Sequence, residues 1–563
     1  MHMRIYSVSN PISFFVVVVF LFLSSASCND ESKSVGSTEI VESPEEINAR
    51  AEAVIKGTLK EILRNDKKLP DSFKIKNAAI LQYLYEQNSF TPLWSSKGNF
   101  TPAADSLFSF INRSMEWGLF PEHYYFEKLA LLKLELSDTS GNKKLNASTW
   151  AYNDLLYSSA FVQLVKDIKI GRLLPDSVVE RDSTLTLGFF SSMLNVYKQV
   201  QNASFISIEP QHSDYKKLKA GIRPFLDSAD FTSYTFVSGK DSNVLRQLIY
   251  KRLAEEDSSL APAGKADSIQ LADAIKNYQK RKGLKADGKI FSALIARLNN
   301  TDKEKFIRIA INMDRFKQLQ ALPEQYIWVN IPSYYLQLRQ GDTVALKSRV
   351  VVGKPVTKTP IITSAISDMM TYPKWTIPES IIKKEILPEL KKDPGYTIRK
   401  GYSLIDRDGN EVDPYTVDWK KFKENIPYKV VQGSGDDNAL GVLKFNFPNK
   451  FSVYLHDTNQ RQFFSRSSRA LSHGCVRVQD WKDLAVFILK NDSLNSTQAV
   501  KVDSLERWLA QKQKRYVPVR KRVPLFIRYF TNDVNEKGKI VFYEDIYGED
   551  SRLRDKIYPN KIL

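Results

Sequence analysis

Apolar residues from about 46 to 245 recur at three- and four-residue spacings, the repeat of one helical face. The stretches "IKNAAILQYLYEQN" and "WAYNDLLYSSAFVQLVKDI" show it most plainly, while "GLFPEHYY" and "RLLPD" supply turn punctuation. This block predicts an all-α scaffold. In residues 246–300, Leu271, Ala274, Ile275 and Tyr278 share one helical face, Gly283 ends that helix, and Asp287-Gly288 turns the chain into another. Three short helices are expected there. After a linking helix through "FIRIAINMDRFKQL" the period changes to two. "QYIWVNIPSYYLQLRQGDTVALKSRVVVG" alternates around a Gly341-Asp342 hairpin signal, and "LKFNFPNKFSVYLHDT" predicts a second strand pair. These place a strand-rich domain at 301–500. Residues 377–435 interrupt it with an amphipathic helix in "PESIIKKEILPELKKDPGY" and a hairpin-like loop in "SLIDRDGNEVDP". An insertion of that size is more than a loop and predicts a helical lid. The basic, mixed tail 501–563 holds strand-like "VPLFIRYF" and "GKIVFYEDIYG" and is expected to pack back on the strand domain. The fold class is therefore multidomain α+β.

Length and composition agree with several cores. A chain of 563 residues corresponds to roughly three to four domains. Its 42% apolar and 12% aromatic content excludes a mainly disordered chain. The net charge of +18 suits nucleic acid, an anionic membrane, an acidic polymer or no particular partner. With no zinc-finger spacing and no aromatic RNA-binding signature, nucleic acid is not expected. At the N-terminus Arg4 precedes an apolar run whose core, Ile12 to Leu23, is 12 residues long. That suits a signal peptide and is short for a membrane span. Ser25, Ala26 and Ser27 lead into Cys28, and this resembles a bacterial lipoprotein signal, whose cysteine is lipidated after cleavage. Plain cleavage and a retained anchor are the alternatives; each exports the chain. Residues 1–28 are read as that signal and the Ser-, Glu- and Asp-rich residues 29–45 as a flexible tether.

Export gives the other cysteine its meaning. The chain has only two, Cys28 and Cys475. With Cys28 lipidated or removed, Cys475 in "LSHGCVRVQDW" is a lone thiol in an often oxidising compartment. A free thiol is only about a few per cent thiolate at neutral pH, so a nucleophilic cysteine needs an imidazole to take its proton. His456, in "VYLHDT", is the general-base candidate. Asp457 follows it directly, but strand neighbours point to opposite faces; a backbone carbonyl is the orienter to expect, and the third member stays unassigned. His473 either positions substrate or braces the loop. Gly474 suits a tight turn in which backbone N–H groups, including that of Cys475, form an oxyanion hole. Arg477 either binds a substrate carboxylate or ties the loop to an internal acid. Trp375 is read as core or lid-hinge packing, or a substrate contact. His123 and His212 have no metal-ligand partners in sequence. Five histidines without HExxH or CxxC give no metal site, and no phosphate loop or dinucleotide fingerprint calls for a cofactor.

His456 followed by Ser472-His473-Gly474-Cys475-Val476-Arg477 resembles the signature of the L,D-transpeptidases, exported bacterial cysteine enzymes that cross-link peptidoglycan. "VVGKPVTKTPIITSAI", "YPKWTIPESI" and "NALGVLKFNFPN" look like other segments of the same catalytic domain. Tyr278-Gln279, Gly283-Leu284 and Asp287-Gly288 resemble a peptidoglycan-binding domain, with a generic helical hairpin as the other reading. Phe291 and Ile295 depart from that domain's pattern, in a region where it usually has Gly and Thr. The order of scaffold, wall-binding-like module and lid is similar to that of the large Gram-negative members. The resemblance implies a strand-rich catalytic domain and 3→3 cross-links made through a Cys475 thioester. The donor would be a tetrapeptide stem and the acceptor the side-chain amine of a second stem's diamino acid. It assigns the base to His456, expects inhibition by carbapenems, and puts the protein at the periplasmic face of the envelope, anchored through Cys28. A cysteine hydrolase on stem peptides and a non-catalytic wall-binding lipoprotein are the competing classes.

Overall fold

A computed structural model describes residues 38–65, 75–138, 142–174, 182–239, 241–260 and 267–558. The expected signal, Cys28 and residues 29–37 of the expected tether lie outside the described residues. The end of that tether is not flexible but bound: Val41 N–H donates to the Leu145 carbonyl (3.0 Å), Ala147 N–H donates to the Glu39 carbonyl (2.7 Å), and a helix begins at Pro44. The chain divides into two compact units: one runs to Gln318 and takes in Val534–Ile540 and Leu553–Leu563, and the other holds Leu319–Asp533 and Val541–Arg552.

The first unit is helical. Its centre is the helix Ala147–Lys169, started by the Asn146 side chain, which accepts from the N–H groups of Ser148 and Thr149. This helix is buried on nearly every side, as a helix at the middle of a bundle must be. Its buried Asp154 accepts hydrogen bonds from Leu93 N (2.8 Å), Trp94 N (2.9 Å), Ser95 Oγ (3.3 Å) and Tyr85 Oη (2.7 Å). One carboxylate thereby fixes the turn that leads into a short hairpin of β1 (Ser95–Ser96) and β2 (Asn99–Phe100). Burial raises the Asp154 pKa against these bonds.

The three expected short helices are Ser242–Ala254, Ser268–Arg281 and Ser292–Leu298. Leu271, Ala274, Ile275 and Tyr278 are buried together with Ile249, Leu253, Leu294 and Leu298. Gly283 takes φ +66° just past the second helix, the left-handed conformation that ends helices. Gln279 receives the Gly288 N–H at 2.9 Å and donates to Asp287 at 3.1 Å, tying the Asp-Gly turn to the helix.

Two boundaries differ from expectation. The linking helix, Asp302–Lys317, belongs to the helical unit and not to the strand domain. Its Lys317 ammonium bonds Asp314 (2.7 Å) and the Asp167 carbonyl (2.8 Å), which fastens it to the scaffold. The tail divides instead of packing wholly on the strand domain. Arg554 there grips Glu304 of the linking helix with two bonds of 2.8 and 2.6 Å.

The second unit is built on one nine-stranded sheet: β3 (Gln325–Asn330), β4 (Tyr335–Gln340), β5 (Thr343–Gly353), β6 (Ile362–Thr371), β11 (Leu443–Asn446), β12 (Leu455–His456), β13 (Ala470–Ser472), β14 (Val476–Val478) and β15 (Arg515–Arg528). Their order is β13-β5-β14-β12-β11-β6-β15-β3-β4, and β4 also pairs with β5, so the sheet closes on itself. The Gly341-Asp342 turn joins β4 to β5 with Gln340 opposite Thr343. Alternate residues (Ile327, Val329, Leu336, Leu338, Val350, Val352) fill the core, as a period-two pattern requires. The helix Trp481–Asn495 packs Leu484, Ile488 and Leu489 into the same core.

The insertion forms its own small body and is less helical than expected. Its strands β7 (Trp375–Thr376), β8 (Tyr402–Ile405), β9 (Glu411–Val412) and β10 (Lys429–Gln432) make a sheet in the order β7-β10-β8-β9. Trp375 pairs with Gln432 and Thr376 with Val431, so its two ends leave the domain as a zipped stem, with Trp375 at the hinge. Ile377, Ile382, Ile386, Leu390, Leu404, Trp419 and Val430 give it a separate core. Its helical arm passes through a π-turn at Ile382–Ile386, two residues ahead of Pro388, whose missing N–H cannot continue an α-helical ladder.

Replacing Asp154 with Ala leaves two buried N–H donors unpaired. Scanning calorimetry of Asp154→Ala should show the scaffold transition destabilised by on the order of 3 kcal/mol, with the strand domain's transition unmoved.

Candidate active site

The residues Ser472 to Cys475 carry the chain across the end of β5. Ser472 pairs with Gly353 in parallel, while Arg477 pairs with Val351 on the other side of that strand. Gly474 takes φ +123° at the crossing, a conformation that side chains avoid. Ser472 donates to the Cys475 carbonyl (2.6 Å) and accepts the Gly474 N–H (3.1 Å). Thr357 Oγ1 donates to the Ser472 carbonyl (3.0 Å) and Thr359 Oγ1 to the Gly474 carbonyl (2.8 Å). Gly353 is required beneath, since an added Cβ would lie 2.1 Å from the Thr357 carbonyl. With the Gly474 N–H committed to Ser472, the Cys475 N–H is the donor beside the sulfur that has no acceptor among the described residues.

Cys475 is partly buried. Its thiol donates weakly to the Ser452 carbonyl at 3.8 Å, and burial pushes its pKa up, against the Tyr454 N–H and hydroxyl, Lys444 and Arg477. His456 lies on β12, which runs parallel to β14 and pairs His456 with Arg477. The imidazole is 4% exposed. Its Nδ1 lies 2.5 Å from the Asp457 carbonyl oxygen, an atom that can only accept. Nδ1 therefore carries the hydrogen of this bond, which makes Nε2 the candidate base nitrogen, and the Leu440 carbonyl also faces the ring. Burial first, then the charges of Arg477 and Lys444, lower the His456 pKa to about 3. Among the described residues no hydrogen bond joins thiol to imidazole, and because burial disfavours the charged form of each, the pair rests uncharged.

The remaining expected site residues fall around this pair. The Asp457 carboxylate points away from the ring and accepts from Val442 N (3.1 Å) and Arg461 (2.8 Å). Arg477 bonds the Gln460 amide oxygen at 2.8 Å, so it ties two loops together without an internal acid. His473 Nε2 meets Glu385 Oε1 at 2.5 Å, and Glu385 sits in the π-turn of the insertion. His123 and His212 lie in the helical unit.

Sequence reasoning missed Tyr454, Lys444, Ser472 and Glu385. Tyr454 had a signal: it stands two residues before His456 and so on the same face of the strand. Its ring packs edge-on to His456 at 5.6 Å, under the Lys444 ammonium at 4.0 Å. Glu385 had none, because its partner is 88 residues away.

Residues 324–502 match the family model of the L,D-transpeptidase catalytic domain, and residues 79–221 match that of the Scaffold domain. A curated Haemophilus influenzae protein named "Putative L,D-transpeptidase" is 40% identical over 257 residues, 45% of this chain and 50% of that protein. The chain thus spans about half the length of the curated relative it matches. A crystal structure of an L,D-transpeptidase from Stackebrandtia nassauensis aligns over 53% of this chain and 97% of its own, at 14% identity and a TM-score of 0.15. That superposition is too slight to support any structural statement.

An uncharged resting pair predicts a distinctive reactivity. The rate of Cys475 alkylation by iodoacetamide should keep rising past the ordinary thiol pKa of 9.0, because burial raises the value. An imidazolium–thiolate pair would instead give a plateau from about pH 4 to about pH 8; the pH–rate profile decides between them.

Proposed function

Starting from an L,D-transpeptidase catalytic domain over residues 324–502, we propose that this protein makes 3→3 cross-links in peptidoglycan through a Cys475 thioester. The observation that carries this reading is the braced loop that sets a free thiol beside an unused N–H, with a buried imidazole oriented by a main-chain carbonyl on the adjacent strand. A tetrapeptide stem supplies the donor. As Cys475 attacks the carbonyl of the third residue, His456 Nε2 removes the thiol proton. The Cys475 N–H holds the developing oxyanion, a contribution of the kind worth about 10²–10³-fold. Collapse breaks the amide bond, the proton passes from His456 to the leaving amine, and the terminal D-Ala departs. A side-chain amine of a second stem then attacks the thioester and regenerates the thiol. Because both groups rest uncharged, the proton moves only as the carbon–sulfur bond forms.

The insertion serves as a lid that limits water at the thioester. Gly474 and Arg477 hold the loop, and Gln460 takes the place an acid would have had. The basic charge of +18 suits an acidic wall polymer, and Cys28 anchors the chain at the periplasmic face. Hydrolysis of stem peptides is the second reading, favoured only if the lid stands open.

Intact-mass spectrometry with meropenem tests the nucleophile, since its strained lactam carbonyl can be attacked by the same sulfur. Wild type should gain one adduct and Cys475→Ala none, with disaccharide-tetrapeptide dimer formation lost in parallel. His456→Ala should acylate about 10²–10⁴-fold more slowly. An adduct on Cys475→Ala, or a full rate in His456→Ala, would remove these assignments.

The anchor is tested separately. Cys28→Ser expressed in a Gram-negative host should lose lipid label and membrane partition while still being exported. Unchanged partition would refute the lipoprotein reading.

A further inference from the structure

Resolving a thioester with an amine poses a problem that the Cys475–His456 pair leaves open. At neutral pH the incoming side-chain amine is an ammonium, cationic and without a lone pair. It needs a counter-charge to hold it and a base to take one proton. His456 is poorly suited to that second task. It is buried, so an ammonium arriving from solvent meets more exposed groups first. The base should be more exposed than His456, close to the sulfur, and backed by a carboxylate.

Glu385 and His473 meet those requirements. His473 stands two residues before Cys475 on the braced loop, and its Nε2 lies 2.5 Å from Glu385 Oε1 on the lid. The side chains are 31% and 49% exposed, so an amine arriving from solvent can reach them. An ionised carboxylate can only accept, so Nε2 carries the hydrogen of this bond and Nδ1 is left as the proton acceptor. The carboxylate then stabilises the imidazolium that forms, the same division of labour as in other nucleophile–base–acid groups. Lys383, two positions before Glu385, is paired with Glu424 at 2.6 Å.

We infer that Glu385 and His473 form the acceptor site, in which the lid carboxylate holds the ammonium of the incoming stem and His473 removes its first proton. This rests on the cross-linking reading above and adds to it the lid's second role. The neutral amine attacks the thioester carbonyl and the carbon–nitrogen bond forms. The carbon–sulfur bond breaks, and the nitrogen's surplus proton passes through His456 to the departing Cys475 sulfur. The first proton leaves His473 for solvent. One ammonium and one thioester become one amide, one thiol and one proton.

The test separates the half-reactions in the full chain. With disaccharide-tetrapeptide bearing a diamino acid as both donor and acceptor, D-Ala release reports acylation, and dimer against hydrolysed tripeptide reports partition. Glu385→Gln should release D-Ala within about threefold of wild type while the dimer-to-tripeptide ratio falls about tenfold or more and the acceptor KM rises, a positioned acid–base group being worth at least that. Glu385→Asp should recover part of the loss. Hydroxylamine, uncharged at neutral pH, needs neither counter-charge nor deprotonation and should resolve the thioester equally in wild type and Glu385→Gln. An unchanged ratio in Glu385→Gln overturns the inference. So does an equal loss with hydroxylamine, which would mean that the substitution merely loosens the lid. Absence of D-Ala release from wild type would instead refute the cross-linking reading, and this inference with it.

Discussion

Burial of an imidazole on β12 and of a thiol just ahead of the parallel strand β14 disfavours the charged form of each, and the rest of this unit is arranged around that cost. His456 is held near pKa 3 and Cys475 above its ordinary value, so the pair cannot rest as an ion pair. Its geometry must come from elsewhere. The main chain supplies it: the Asp457 carbonyl fixes the ring's tautomer, and the crossing over β5 fixes the sulfur. Arg477 shows the logic. Its cation lies opposite His456 in register and is bound by a neutral amide, so its charge remains to suppress protonation of the imidazole.

The same demand for rigidity explains the second layer. Tyr547 donates to the Gly353 carbonyl (2.7 Å) and accepts the Thr359 N–H (3.0 Å), while Thr359 holds Gly474. A tail residue thus reaches the Cys475 loop in two hydrogen bonds. A loop with φ +123° at its glycine stays in place because the carbonyls of Ser472, Gly474 and Cys475 are each held by a hydroxyl. The lid needs a different solution. Joined to the domain by a stem of two residue pairs, it can keep its shape only with a core and a sheet of its own.

Legibility in the sequence followed the range of the interactions. The scaffold helices, the three-helix module and the strand pairs were readable because each is set by local periodicity, as Leu271 to Tyr278 and the Gly341-Asp342 turn illustrate. The candidate site residues were readable because their types are scarce and chemically explicit: Cys475 is one of two cysteines and His456 one of five histidines. Asp154 was not, because its four donors come from segments at least 59 residues away. Nor was the lid's sheet, whose strands of two to four residues are too short for alternation to show. The tail was misplaced for the same reason: nothing local marks Arg554 as the partner of Glu304, 250 residues earlier.

A raised thiol pKa has a further effect on the proposed reaction. It slows attack by lowering the thiolate fraction, yet the same basicity makes the sulfur a poorer leaving group once acylated. A thioester on such a sulfur resists water longer than one on an acidic thiol. For the proposed transferase, which would wait for a second stem, that exchange is favourable because a longer-lived thioester gives the acceptor time to arrive. Tyr454, stacked beneath Lys444 with its hydroxyl and N–H near the sulfur, is placed to moderate both steps. It stabilises the thiolate as it departs, without the standing charge that would have made the intermediate labile.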